Sequence, residues 1–398
     1  MRFRLIRLLG LIVLGCLMLG LPAYFWIGDR QQVLRFLYPA QASLTASSLS
    51  CSAGAPTWLA SAANFALRNN SSPSGQLAHV AADGELYECH YGWRGTPLLS
   101  SRVTEENRFR YASMTKALTA DAILRQVRAG KLALDDRLLD WLLPGVEVAD
   151  DRLKAVTVEH LLRHSAGFDR MRSEDPMVVR KRKPWCPYTA EPLTKVNLDF
   201  APGERYAYSN LNYCLLGMVL ERVSGQPFRE LMEREYGLHA RGIRFVDGPY
   251  LADEVSYDFR NSGFYGDDYW RYFDFHALSS SAGLSGSASA FASLWATLRD
   301  EQGFPVAQAS TEKLCEPERL RGCYGYGVFN YRQTGRALTL QVQPGFLYAS
   351  PSVLLLDSHG GVTVWVGNGT RLAGSPTDAM TRLLYQELDT YQASEASQ

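Results

Sequence analysis

The sequence predicts an α+β domain, an α/β sandwich in which strands near both ends of the chain build one antiparallel sheet, with a helical insertion between them. Three observations carry this. "LAHVAADGELYECHYG", Leu77 to Gly92, reads as two strands around Asp83-Gly84, a dipeptide suited to a tight hairpin turn. Towards the other end, "ALTLQV", "SVLLLD" and "VTVWVG" are short apolar strands, the last two joined across "SHGG". Between these groups the apolar residues recur at helical spacing. Strands segregated from helices along the chain point to one sheet closed by the two ends, with helices packed against it. No internal repeat interrupts this order.

The elements follow in sequence. Arg2, Arg4 and Arg7 precede an uncharged run from Leu8 to Ile27, long enough for a bilayer core, which takes about 20 apolar residues. Residues 1–28 therefore read as one uncleaved transmembrane signal-anchor helix. The arginines before it put the body on the periplasmic, extracytoplasmic side. Residues 29–55 read as a juxtamembrane linker ending in "ASLTASSLSCSAGA", residues 56–388 as the folded body, and residues 389–398 as a polar tail. Ser113 opens a helix through Ala117, Ile123, Leu124 and Val127, with Gly130 as its stop. Thr157 is placed to cap "TVEHLLRHSAGF". Asn212 to Ser224 form an apolar helix ended by Gly225, and "TRLLYQEL" is a closing amphipathic helix.

Composition narrows the function. A 46% hydrophobic fraction over 398 residues supports a large core. Lys plus Arg and Asp plus Glu each total 41, a balance with no general pull towards nucleic acid. Six cysteines follow the anchor, an even number suited to disulfides in an exported body. Cys315 and Cys323 are close enough to close a small loop. Cys51 with Cys89 and Cys186 with Cys214 are one of several pairings that spacing leaves open. His160 and His164 are four apart but lack the glutamate of H-E-x-x-H, so no metal site is assigned.

"YASMTK" sets Ser113 and Lys116 three positions apart at a helix start, so their side chains share a face. A desolvated lysine loses its proton more readily than a solvated one and can then take one from a hydroxyl. Backbone N–H groups at the helix start favour an oxyanion. Further on, "YSN" places Tyr208 and Asn210 just before an apolar helix. A phenol near a lysine can relay protons, and an amide can bind a substrate carbonyl.

With these residues in place, "FRYASMTKALTADAILRQVRAGKLALDDRLLDWL", "TVEHLLRHSAGF", "FAPGERYAYSNLNYCLLGMVLERVSG" and "SAGLSGSASAFASL" resemble the serine β-lactamase-like family. It includes class C β-lactamases, D-alanyl-D-alanine carboxypeptidases and related esterases. The resemblance runs roughly from Leu77 to Leu384. It implies a β-lactamase/transpeptidase-like fold, Ser113 as the acylated nucleophile, Lys116 and Tyr208 as the proton-transfer pair, and Asn210 facing substrate. No metal or organic cofactor is implied. The family's third motif, Lys-Thr-Gly or His-x-Gly, aligns with Gln343-Pro344-Gly345, which lacks the cation that helps bind a substrate carboxylate. That departure argues against β-lactam turnover. Phe346, after the glycine, is implied as an oxyanion donor together with Ser113 N. The His-Gly-Gly of "SHGG" belongs to a hairpin turn instead.

Two further stretches border this chemistry. The basic run "VVRKRKPW", Val178 to Trp185, is either a solvated face or a source of the missing cation through Arg180, Lys181, Arg182 or Lys183. The aromatics from Phe264 to Phe275 either line a pocket or join the core. The expected function is a membrane-anchored serine hydrolase acting on a small-molecule or peptide ester or amide, with a cell-wall peptide foremost. The alternatives are a catalytically silent membrane-tethered binding protein and a penicillin sensor acylated without turnover.

Overall fold

The computed structural model describes residues 26–395 except 173–174, 176–182, 263–265, 267, 303–322 and 372, and before them residues 15, 18, 20, 23 and 24. Ten strands are described: β1 Ser50–Cys51, β2 Gly75–Val80, β3 Leu86–Tyr91, β4 Phe109–Arg110, β5 Arg244–Phe245, β6 Leu284–Gly286, β7 Phe329–Arg332, β8 Thr339–Leu347, β9 Ser350–Asp357 and β10 Val362–Gly367. Seven form one sheet in the order β1-β3-β2-β10-β9-β8-β7, and all its pairings are antiparallel. The two ends of the chain meet where β2 pairs with β10, Leu77 opposite Trp365. The expected closure of one sheet by both termini is therefore present.

Why do the strands read as nearly continuous apolar runs? Both faces of the sheet are covered, so alternate side chains enter two different cores. Val362, Val364 and Val366 join the larger core, while Trp365 points into the smaller one. Leu354 and Leu356 of β9 divide from Val353 and Leu355 in the same way. The principal helices are α1 Arg30–Ala46, α2 Thr57–Asn69, α3 Thr115–Arg128, α4 Leu138–Leu142, α5 Val158–Leu162, α6 Asn210–Ser224, α7 Phe228–Tyr236, α8 Ser279–Ala282, α9 Ala288–Gln302 and α10 Pro376–Glu395. Helices α2 and α10 cover one face of the sheet, α9 covers the other, and the remaining helices lie mostly in the insertion between β3 and β7.

Local rules place the ends of these helices. Thr157 Oγ1 accepts from His160 N, and His160 returns a bond to Thr157 N, a capping box at the start of α5. Gly225 ends α6 in the left-handed region at φ 68°, which costs a residue without Cβ nothing.

Several expectations change. Residues 30–46 are helical rather than a linker, and they pack on the body through the buried Tyr38, Ala42 and Thr45. Arg260 donates to Leu34 O at 3.2 Å and to Gln41 Oε1 at 2.7 Å, and Arg35 donates back to Arg260 O at 3.0 Å. The chain beyond α1 also enters the sheet, as β1. The polar tail is helical through Glu395. A second sheet, β4-β6-β5, was not expected, because strands of two or three residues are too short to show a period. Among the described residues no helix is long and apolar enough to cross a membrane. Most of the Leu8–Ile27 run lies outside them. Disulfides join Cys51 to Cys89, across β1 and β3, and Cys186 to Cys214. Cys323 is also disulfide-bonded, while Cys315 lies outside the described residues.

Candidate active site

The backbone reaches Ser113 through a forced turn. Strand β4 ends at Arg110, Ala112 takes φ 49°, and a single 3₁₀ turn from Ala112 to Met114 leads into α3. A non-glycine residue with positive φ is uncommon, and the surrounding core has to hold it there. Ala112 and Met114 are both fully buried. Ser113 is half-buried and faces the cleft, and Lys116, one turn on, is completely buried.

Tyr208 and Asn210 arrive from the start of α6. Ser209 caps that helix by accepting from Leu211 N. The helix begins at Asn210, two residues before the expected start, so both side chains flank the cap. Tyr208 Oη lies 2.8 Å from Ser113 Oγ, and Lys116 Nζ lies 3.1 Å from the same oxygen. Lys116 Nζ also donates to Asn210 Oδ1 at 2.7 Å and to Ser281 O at 2.8 Å.

Three oxygens can take the three N–H bonds of an ammonium, and the same geometry also serves the neutral amine. With one proton gone, the amine has two N–H bonds and a lone pair. The N–H bonds go to Asn210 and Ser281, and the lone pair is left for the Ser113 hydroxyl proton. Burial drives Lys116 well below its ordinary pKa of 10.5; the Asp175 carboxylate pulls the other way, and the Arg170 guanidinium adds to the lowering. His164, fully buried with its ring 4.5 Å from that of Tyr208, is likewise held well below its ordinary value by burial, Lys116 and Arg170. A neutral imidazole thus backs the phenol. A hydroxyl with a neutral amine on one side and a phenol on the other can attack a carbonyl and have its proton taken up.

The opposite wall comes from β8. Gln343 is buried, and its carboxamide is already engaged: Tyr324 Oη donates to Oε1 at 3.3 Å, and Nε2 donates to Pro344 O at 3.1 Å. It brings no charge to the cleft. Gly345 lies so close to the serine turn that a Cβ there would sit 3.0 Å from Ser113 N and inside contact with Tyr111 O and Ser352 Oγ. The side chain of Phe346 is 45% exposed at the cleft. Gly345→Ala is expected to push β8 off the turn and lower kcat/KM for an activated ester about 100-fold, the scale of one misplaced oxyanion donor. Its thermal midpoint should fall by only a few degrees. An unchanged rate would show that the strand absorbs the methyl group.

The structure therefore brings Ser113, Lys116, Tyr208, Asn210, Gln343, Gly345 and Phe346 to one cleft of ≈ 520 Å³. A second cavity of ≈ 540 Å³, between α1 and the loop at Gly95–Pro97, is lined by none of them. Of the basic run, residues 180–182 lie outside the described residues, and Lys183 sits over the Tyr188 ring at 3.4 Å. Phe264 and Tyr265 also lie outside. Tyr269 and Phe275 pack around Arg110 in the core. Sequence reasoning missed three groups. The Ser281 carbonyl carries no side-chain signal. Asp175 accepts from Asn210 Nδ2 at 3.1 Å and orients that amide. Arg170 lines the cleft with its guanidinium 5.4 Å from the Tyr208 ring centroid.

Comparison with known proteins bears on the family and the fold. The Beta-lactamase family model matches residues 68–375. A Dichelobacter nodosus protein named for fimbrial assembly, FimD of serogroup D, is 35% identical over 370 residues, 92% of this chain and 92% of its own. The esterase EstB of Burkholderia gladioli is 34% identical over 171 residues, 38% of this chain and 42% of the esterase. The solved D-amino acid amidase of Ochrobactrum anthropi SV3 superposes with a TM-score of 0.67 at 16% identity, covering 85% of this chain and 99% of the amidase, and so shares the fold. On the extent of the family match and of the near-full-length relative, the chain belongs to the serine β-lactamase-like family.

Proposed function

We propose that the protein is a serine hydrolase that works through an acyl-enzyme on Ser113. The observation that carries this is the fully buried Lys116 amine 3.1 Å from Ser113 Oγ, with the Tyr208 phenol 2.8 Å away on the other side. Ser113 Oγ attacks the carbonyl of an ester or amide, Lys116 accepts its proton, and Tyr208 passes a proton to the leaving group. Water then releases the acyl group by the reverse path. Backbone N–H groups of Ser113 and Phe346 would hold the oxyanion. Substrates in falling order are a cell-wall peptide, a small ester or amide, and a β-lactam. The Leu8–Ile27 run and the arginines before it support placing the reaction at the outer face of a membrane.

A second reading is favoured by the near-full-length relatives named for fimbrial assembly. In it the chain serves assembly as a membrane-tethered binding protein. Binding alone has no use for a desolvated amine aimed at a hydroxyl, which is why the hydrolase reading comes first. The full chain in detergent separates the two readings. A fluorophosphonate probe should leave one adduct, on the peptide carrying Ser113, and p-nitrophenyl butyrate should be turned over. Labelling by neither the probe nor a tagged penicillin, in folded protein, would favour the binding role. A lasting penicillin adduct would favour a sensor.

A further inference from the structure

We infer that Arg170 forms an anion subsite in the Ser113 cleft and selects acyl substrates carrying a carboxylate. This rests on the serine-hydrolase reading. Among the described residues lining the cleft, Arg170 is the one with a charged side chain; the others are hydroxyl, amide, aromatic, proline or glycine residues. The strand position that aligns with the family's cation holds Gln343, whose carboxamide is tied to Tyr324 and Pro344 and offers no charge. Among the described residues, the cationic side chain lining this cleft therefore stands on a different wall.

The guanidinium is placed for this task. It lies 5.4 Å from the centroid of the Tyr208 ring, and the hydroxyl of that ring touches Ser113 Oγ at 2.8 Å. A ligand carboxylate on Arg170 is thus held a short chain's length from the reacting oxygen. Arg170 is exposed, and no carboxylate among the described residues lies within ion-pair distance of it. The neighbouring Asp169 faces Arg205, at 3.6 Å. Arg152, also exposed, is by contrast taken up by Asp150 at 2.6 Å. A planar fork of donors over an aromatic face, open to the cleft, suits bidentate binding of a carboxylate.

The same group has a second effect, which the test must separate. Arg170 helps keep Lys116 below its ordinary pKa, so its removal slows every substrate at a fixed low pH. The readout is therefore a ratio. Wild-type full chain is assayed with mono-p-nitrophenyl glutarate, which carries a free carboxylate, and with neutral p-nitrophenyl valerate. The expected preference in kcat/KM is for the anionic ester. Arg170→Gln should lower that anionic-to-neutral ratio about 10- to 100-fold, mainly through KM, the scale of a lost charged hydrogen bond. Arg170→Lys should keep part of it. In Arg170→Gln the acid limb of the pH profile should also move to higher pH for both esters alike. A ratio unchanged by Arg170→Gln, or no anionic preference in the wild type, overturns the subsite while leaving the hydrolase standing. If neither ester is cleaved and no fluorophosphonate adduct forms on Ser113, the hydrolase reading fails and the subsite goes with it.

Discussion

Lys116→Met should lower kcat/KM for p-nitrophenyl butyrate about 1,000-fold, within the range by which a positioned general base speeds proton transfer, while the protein stays folded. Methionine fills a similar volume without a lone pair, so the Ser113 proton has no acceptor on that side. In the wild type the reactive form of Lys116 is the neutral amine, so activity should rise with pH through the lysine's pKa and level off above it. That limb should lie well below the ordinary 10.5, because burial disfavours the ammonium. Lys116→Met should lose the limb altogether.

Stability supplies an independent check on the same residue. Between the lowered folded-state pKa and 10.5 the unfolded chain holds the proton that the folded chain has released. Lys116 therefore makes stability rise with pH across that window, and the contribution is flat above it. Removing the amine should flatten this slope and make the variant relatively more stable at the low-pH end. A variant that keeps both the rate and the acid limb would mean that another group takes the proton.

Much of the site was legible because its chemistry is tied to spacing. Three residues on a helix bring Ser113 and Lys116 together, and a cap two residues long sets Tyr208 and Asn210 side by side. The sheet was legible from apolar runs whose alternate members feed two cores, as Trp365 and its valine neighbours do. Arg170 and Asp175 were not legible. Each is a single charged residue in an irregular segment, where no period says which way a side chain faces. The docking of α1 did leave a trace: Leu34, Tyr38, Ala42 and Thr45 recur at helical spacing. A serine-rich end and Pro39, a residue that removes a helical hydrogen bond, hid it.

Glu254→Ala should cost about 3–5 kcal/mol of stability, the range for stranding one charge of a buried pair. Arg110 Nε lies 2.6 Å from Glu254 Oε1, and neither side chain has any exposure. The guanidinium sits among the rings of Tyr250, Tyr257, Tyr269 and Phe275, with its carbon 5.2–6.0 Å from their centroids. These faces favour a cation, but they do not replace a counter-ion in a space without water. The position matters for the site because Arg110 ends the strand that turns into Ser113. Its backbone is fixed as well: the N–H donates to Tyr257 Oη at 2.8 Å, and the carbonyl accepts from Ser350 Oγ at 2.8 Å. Urea denaturation should show the loss as a lower midpoint with an unchanged slope. The double variant Arg110→Met with Glu254→Leu should recover most of it, since the two desolvation costs vanish together. A loss below about 1 kcal/mol in Glu254→Ala, the value usual for an exposed pair, would mean that water reaches the guanidinium and that the strand feeding Ser113 is held by its backbone bonds alone.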